Sequence, residues 1–200
     1  MIIGLTGSYC AGKNHVAALL EARGLPVLDV DKLGYQALEL EKKAIFAKFG
    51  IDLQKIDSSW HSQAPLNRRL LGQVVFKNPE KLATLEAIVH PAANRLTDEW
   101  AAAQKGHYVI NAALLHRSSI FNKLDCIIVV KAPFLTRFLR AKKRDKLSNR
   151  EIFRRFASQK DFYAQYLSIN AEIYKVGNSG LLCSAGKLER QIDKFIEGIN

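Results

Sequence analysis

The chain has 200 residues, is 48% hydrophobic and carries a formal net charge of +11. That length fits one folded unit with subdomain insertions, and the apolar content excludes a disordered chain. No apolar stretch reaches the roughly 18–20 residues of a membrane span, and a strand pattern begins at once without a basic, cleavable leader, so a soluble cytoplasmic protein with no membrane partner is expected.

Residues 2–6 (Ile-Ile-Gly-Leu-Thr) read as a buried first strand. Gly7-Ser8-Tyr9-Cys10-Ala11-Gly12-Lys13 follows directly and leads into a helix over 14–22 that Gly24 stops. This is the strand–GxxxxGK–helix order of a phosphate-binding P-loop. Its two glycines let the backbone curl around an anion, the helix start adds its positive dipole end, and Lys13 supplies an ammonium for the outer phosphates. Asn14 stands where the pattern has Ser or Thr. Cys10 lies in this loop beside Lys13, a setting expected to favour the thiolate. With Cys126 and Cys183 it makes three widely spaced cysteines, which suggest neither a disulfide framework nor a zinc site.

Residues 26–31 read as a second parallel strand with Asp29 and Asp31 at its carboxyl end, the end that faces the ligand crevice of an open α/β sheet. Asp31 is the candidate for accepting or orienting the proton of an attacking hydroxyl, or else the cap of a helix starting at Lys32; Asp29 would face the other way. Residues 32–105 carry helical spacing only: Ile45, Phe46 and Phe49 on a helix ended by Gly50; Leu66 to Val75 after Pro65; Leu82 to Val89 after Pro79, broken at His90-Pro91; and a further helix over 96–103. Strands return at 108–110 and 126–130 as continuous apolar runs, expected where both sheet faces are covered. A last strand over 173–176, a turn over 177–180 and an amphipathic helix from Leu188 to Ile199 close the chain. The expected fold is a three-layer α/β sandwich with a parallel sheet.

The charge is concentrated. Residues 131–155 hold ten Lys and Arg against Asp145 and Glu151, a local charge of +8. A solvated helix face, a polyphosphate-facing segment and a nucleic-acid surface all fit such a run. Arg140 and Arg144 lie one helical turn apart and are expected to reach the same ligand.

The residues resemble the dephospho-coenzyme A kinase family. The most specific match runs from Leu66-Asn67-Arg68 through Val75-Phe76, Asn78-Pro79-Glu80 and Leu85-Glu86-Ala87-Ile88-Val89-His90-Pro91. Ile3-Gly4-Leu5-Thr6-Gly7, Asp29-Val30-Asp31, Leu114-Leu115, Arg144-Asp145 and Asn178-Ser179-Gly180 add to it. Departures are Asn14, Gly72, Asn111, Ala113 and Arg117.

The resemblance implies ATP-dependent phosphorylation of the ribose 3′-hydroxyl of dephospho-CoA. It implies a core over 1–31, 106–135 and 166–200, a helical CoA-binding insertion over 32–105 and a helical lid over 136–165. ATP would meet Gly7, Ser8, Tyr9, Cys10, Ala11, Gly12, Lys13, Asn14 and His15 with Arg140, Arg144 and Asn178. Lys13, Asp31 and Arg144 would be catalytic, Asp31, Arg68 and His90 would meet the acceptor, and Asn14 would hold magnesium. The competing readings are another small-molecule P-loop kinase and a non-catalytic relative that binds nucleotide or nucleic acid; nucleic acid is not the expected partner.

Overall fold

Each of the five strands pairs in parallel with its neighbours, and the continuous apolar runs at 2–7, 108–111 and 126–131 are buried nearly throughout, as strands covered on both faces are. The computed structural model describes residues 1–59, 61, 65–159, 162, 164–166, 169–179 and 185–199. It forms two units, Met1–Asp29 with Ala103–Asn200, and Val30–Ala102.

In the first unit, β1 (Ile2–Gly7), β2 (Val27–Asp29), β3 (Tyr108–Asn111), β4 (Cys126–Lys131) and β5 (Glu172–Gly177) lie in the order β2-β3-β1-β4-β5. Ile3, Leu5, Val109, Ile128 and Val130 turn one face of the sheet toward α1 (Lys13–Glu21) and α8 (Ala185–Ile199), and Val16, Leu20, Leu188, Ile192 and Phe195 fill the layer between. On the other face Gly4 leaves room for Leu115 and Leu124, on and beside two single-turn 3₁₀ segments. Gly24 ends α1 as its sequence position predicts. At φ 86° it lets its own N–H reach Glu21 O and Leu25 N reach Leu20 O, the paired bonds of a Schellman stop. Two further helices, α6 (Phe134–Asp145) and α7 (Asn149–Ala157), follow β4. Lys146 in the left-handed region breaks them, and Ser148 and Glu151 close a reciprocal capping box that starts α7.

The second unit is all helical: α2 (Val30–Leu40), α3 (Lys42–Ile56), α4 (Arg68–Val75) and α5 (Pro79–Ala102). Ala37, Ile45, Phe49, Leu53, Leu71 and Val75 are among its buried core. Asn67 caps α4 by accepting from Leu70 N at 3.1 Å.

Three expectations are corrected here. The second strand stops at Asp29, and Asp31 lies in the first turn of α2. Asp29 pairs with Asn111, the last residue of β3, so the ladder has no partner beyond it, while Leu33 and Ala37 are buried at helical spacing. The alternation that set Asp29 and Asp31 on opposite faces therefore does not apply. Gly50 does not end its helix; α3 runs on to Ile56 because Gly50 is buried against the Phe46 ring and Leu53 joins the core beyond it. Nor does His90-Pro91 break a helix. Pro91 is exposed, and the carbonyl it leaves without a donor belongs to Ala87 on an exposed position that water can reach, while Val89 and Ala92 stay buried. Cys10 and Cys126 are free thiols; Cys183 and Gly180 lie outside the described residues.

Candidate active site

The loop between β1 and α1 is held from behind. Arg137 Nε donates to Tyr9 O at 2.9 Å, Arg140 Nη1 to Cys10 O and Ala11 O at 3.4 and 3.0 Å, and Asn178 Nδ2 to Ala11 O at 3.1 Å. Binding three successive carbonyls fixes the loop's curl, and a curl of this kind is what turns neighbouring N–H groups to the concave side. Arg140 Nη2 also donates to Asn178 Oδ1 at 2.9 Å, so half-buried arginine, buried asparagine and loop form one bracket. Gly12 is required twice over: its φ is +96°, and a Cβ there would collide with Asn178 Nδ2. Cys10, at φ 60°, is the non-glycine residue that takes the left-handed conformation inside the loop.

Two of the loop's N–H groups are engaged within the protein. Tyr9 N donates to Gln159 Oε1 at 2.6 Å and Ala11 N to Ser8 O at 2.9 Å, so the backbone of 9–14 does not offer every donor to a phosphate in this conformation. Lys13 Nζ donates to Asn111 Oδ1 at 3.1 Å, and Asn111 Nδ2 donates to Asn14 Oδ1 at 3.2 Å. Asn14 and His15 are exposed on the first turn of α1.

Arg140 and Arg144 diverge although one turn separates them. Arg140 grips the loop; Arg144 lies along Asp145, with Nε to Oδ1 at 2.7 Å and Nη2 to Oδ2 at 3.1 Å. The pKa of Asp145 is lowered from its ordinary value, first by that Arg144 bond. Burial lowers the pKa of Arg140. The basic run is thus partly structural: Arg137 and Arg140 bond to the loop, and Arg144 and Arg155 to Asp145. Gln159 was not singled out from sequence, and Asp145 entered only as an acid of the basic run and beside Arg144 in the family match. Arg137, an arginine of the basic run, lies one turn before Arg140 on α6, with Ala141 buried.

Cys10 departs from expectation. Its thiol is buried and burial raises its pKa, outweighing the opposing effect of Arg144. A group pushed above its ordinary value stays protonated at neutral pH. Iodoacetamide at pH 7 is therefore expected to leave activity unchanged while it alkylates free cysteine, with no difference between wild type and Cys10→Ala. Rapid inactivation that ATP prevents and Cys10→Ala abolishes would restore the thiolate reading.

Beside Asn178 a cleft of about 370 Å³ is lined by Lys131, Ala132, Pro133, Gly177, Ser179, Lys187 and Gln191. In the helical unit Arg68 lies over the Tyr35 ring at 4.2 Å, and both line a cleft of about 790 Å³ with Gln36, Glu39, Leu40, Leu66 and Leu96. His90 is exposed on α5 and is not among that cleft's lining residues.

Residues 1–191 match the profile of the dephospho-CoA kinase family. The chain is 33% identical over 203 residues to a dephospho-CoA kinase of Treponema pallidum, covering 96% of this chain and 92% of that one. It is 37% identical over 165 residues to that of Anaeromyxobacter dehalogenans, covering 79% and 75%. Among solved structures, a Thermus thermophilus protein superposes with a TM-score of 0.78 at 31% identity, covering 100% of this chain and 98% of its own. A shikimate kinase from Bacteroides thetaiotaomicron shares the fold at a TM-score of 0.51 and 14% identity, covering 98% and 97%.

Proposed function

The chain belongs to the dephospho-CoA kinase family, and from that premise we propose how its residues move the terminal phosphoryl group of ATP to the ribose 3′-hydroxyl of dephospho-CoA. The activity is that of a kinase, with ADP and coenzyme A as products. One observation carries the assignment of the ATP site: the curled loop after β1, bracketed by Arg137, Arg140 and Asn178 and followed by Lys13 at the start of α1.

Phosphoryl transfer asks the protein mainly to position reactants and neutralise charge. The loop and the first turn of α1 hold the β- and γ-phosphates, and Lys13 moves from Asn111 to the γ-phosphate. The cleft beside Asn178 takes the nucleoside, because it opens where the loop's bracket ends. Asp31 orients the acceptor hydroxyl and takes its proton. Arg68 and His90 are assigned to the acceptor; the Arg68–Tyr35 stack and its cleft support the first, and the HP motif alone supports the second. The α6–α7 pair, with Arg144 at its turn, acts as the lid, and the helical unit takes the CoA moiety. Among the described residues no helix is long and apolar enough to cross a membrane, and free buried Cys10 and Cys126 suit a reducing, cytoplasmic compartment.

Magnesium fits the donors present. Asn14 Oδ1 is a neutral hard oxygen with two lone pairs, one of them taken by Asn111 Nδ2. Asn14 would hold the ion through its amide oxygen or through a water, and the ion would neutralise charge on the phosphates. The longer amide and the competing Asn111 bond make it a weaker ligand than a Ser or Thr hydroxyl. ADP release with dephospho-CoA as acceptor is therefore expected to need more free magnesium in wild type than in Asn14→Thr, with the acceptor KM equal in both. Unchanged magnesium dependence would remove Asn14 from the metal site. No ADP at any magnesium level from wild type, restored in Asn14→Thr, would favour the non-catalytic reading.

A further inference from the structure

Tyr9 is a phosphate-loop residue whose side chain reaches away from the loop, into the α6–α7 turn. Its ring meets Phe156 edge-on at 5.7 Å between centroids, and the guanidinium carbons of Arg144 and Arg155 each lie 5.3 Å from the ring centre. Its hydroxyl donates to Asp145 Oδ2, the oxygen that also accepts from Arg144 Nη2 at 3.1 Å and from Arg155 Nη1 at 3.4 Å. Its main chain is held from both sides, by Gln159 on the N–H and Arg137 on the carbonyl. Burial and the Asp145 bond raise the phenol's pKa, while Asp145 is lowered, so the donor and the charged acceptor keep their roles at neutral pH.

We propose that Tyr9 and Asp145 are positioning residues for Arg144: the tyrosine hydroxyl fixes the carboxylate, and the carboxylate fixes the guanidinium relative to the loop that holds the phosphates. Arg144 is a long side chain, 61% exposed, and left alone it would lose several rotamers' worth of freedom on meeting the transferring group. Asp145 is 17% exposed and takes Arg144 by one edge, through Nε and Nη2. A guanidinium has five N–H donors, so this grip leaves both Nη1 protons and one on Nη2 to face a phosphate oxygen. The grip therefore aims the arginine without consuming it. Because Tyr9 is itself part of the loop, any shift of the loop carries the Asp145–Arg144 pair with it. A basic helix alone would only raise local potential; the hydroxyl–carboxylate–guanidinium chain sets a direction.

The inference rests on Arg144 acting at the transferring phosphoryl group, and the test separates the two claims. ADP release is measured for wild type, Tyr9→Phe, Arg144→Ala and the double variant, with thermal melts alongside. Tyr9→Phe keeps the ring and its packing and loses one charge-assisted hydrogen bond. We expect kcat to fall about tenfold with the KM for ATP unchanged, the scale of that single bond. In the Arg144→Ala background the same change is expected to cost less than about twofold, because the group it aims is gone. Asp145→Asn should follow Tyr9→Phe, and it carries the test if the tyrosine variant melts early. Wild-type kcat in Tyr9→Phe, or a loss that multiplies in full with that of Arg144→Ala, overturns the positioning role while leaving Arg144 in place. Wild-type turnover in Arg144→Ala overturns the arginine's role, and this proposal with it.

Discussion

Asp31→Asn is expected to lower kcat by roughly 10²–10⁴-fold, the usual range for a lost general base, with ATP binding unchanged. The amide keeps the shape of the carboxylate and removes its ability to take a proton. Asp31 is exposed in the first turn of α2, two residues beyond the carboxyl end of β2, where ligands of open α/β sheets bind. An acid in the first helical turn also suits the positive end of the helix dipole, worth about 0.3–1 kcal/mol. The two roles separate in measurement. Steady-state ADP release reads the first and a thermal melt reads the second. A slightly lower melting temperature with wild-type turnover would take Asp31 out of the mechanism and leave it a helix residue.

Arg144→Ala is expected to cost about 2–4 kcal/mol in kcat/KM, roughly 30- to 1,000-fold, by comparison with other groups that stabilise charge in the transition state. Arg144 is the arginine of α6 that Asp145 aims, whereas Arg140 is committed to the carbonyls of Cys10 and Ala11. Lys146→Ala is the control. Lys146 lies two residues away, exposed, at the left-handed break after α6. It carries the same charge into the same field, and no contact among the described residues ties it to the loop. Its loss is expected to change kcat/KM less than about twofold. Equal losses from the two variants would mean that the basic run acts as a diffuse field and that no single cation is placed.

Much of this protein is local, and local features can be read along the chain. The phosphate loop is one: a buried strand, two glycines at fixed spacing and a lysine at the start of a helix need nothing from elsewhere to be recognised, and β1, the loop and α1 lie where that pattern puts them. The stop at Gly24, the cap at Asn67, the box at Ser148 and Glu151, and the buried runs of β3 and β4 are equally local, because each depends on residues within a turn or two. Where a helix ends was less legible. Gly50 and Pro91 are helix breakers by propensity, worth about 1 and 3 kcal/mol against alanine. Both are overridden by packing: the core placement of Phe49, Leu53, Val89 and Ala92 continues α3 and α5 through them. Asp31 moved from strand to helix because β3 ran out of pairing partners at Asn111, a limit set by a segment about 80 residues away in sequence.

The tertiary structure alone decided what each cation does. Sequence spacing placed Arg140 and Arg144 on neighbouring turns with one expected target. Contacts in the fold divided them: Arg140 goes to the loop's carbonyls and Asn178, while Arg144 lies along its neighbour Asp145 and over the ring of distant Tyr9. The same holds for Cys10, whose neighbours in sequence favour the thiolate and whose burial in the fold opposes it. It holds again for Asn14, whose amide meets Asn111 from a strand 97 residues on. The physical reason is common to all three. Loop geometry and helix periodicity depend on backbone preferences over a few residues, which sequence carries. The partner of a charged or polar side chain depends on which groups the fold sets beside it, and for Arg140, Cys10 and Asn14 those groups lie far along the chain.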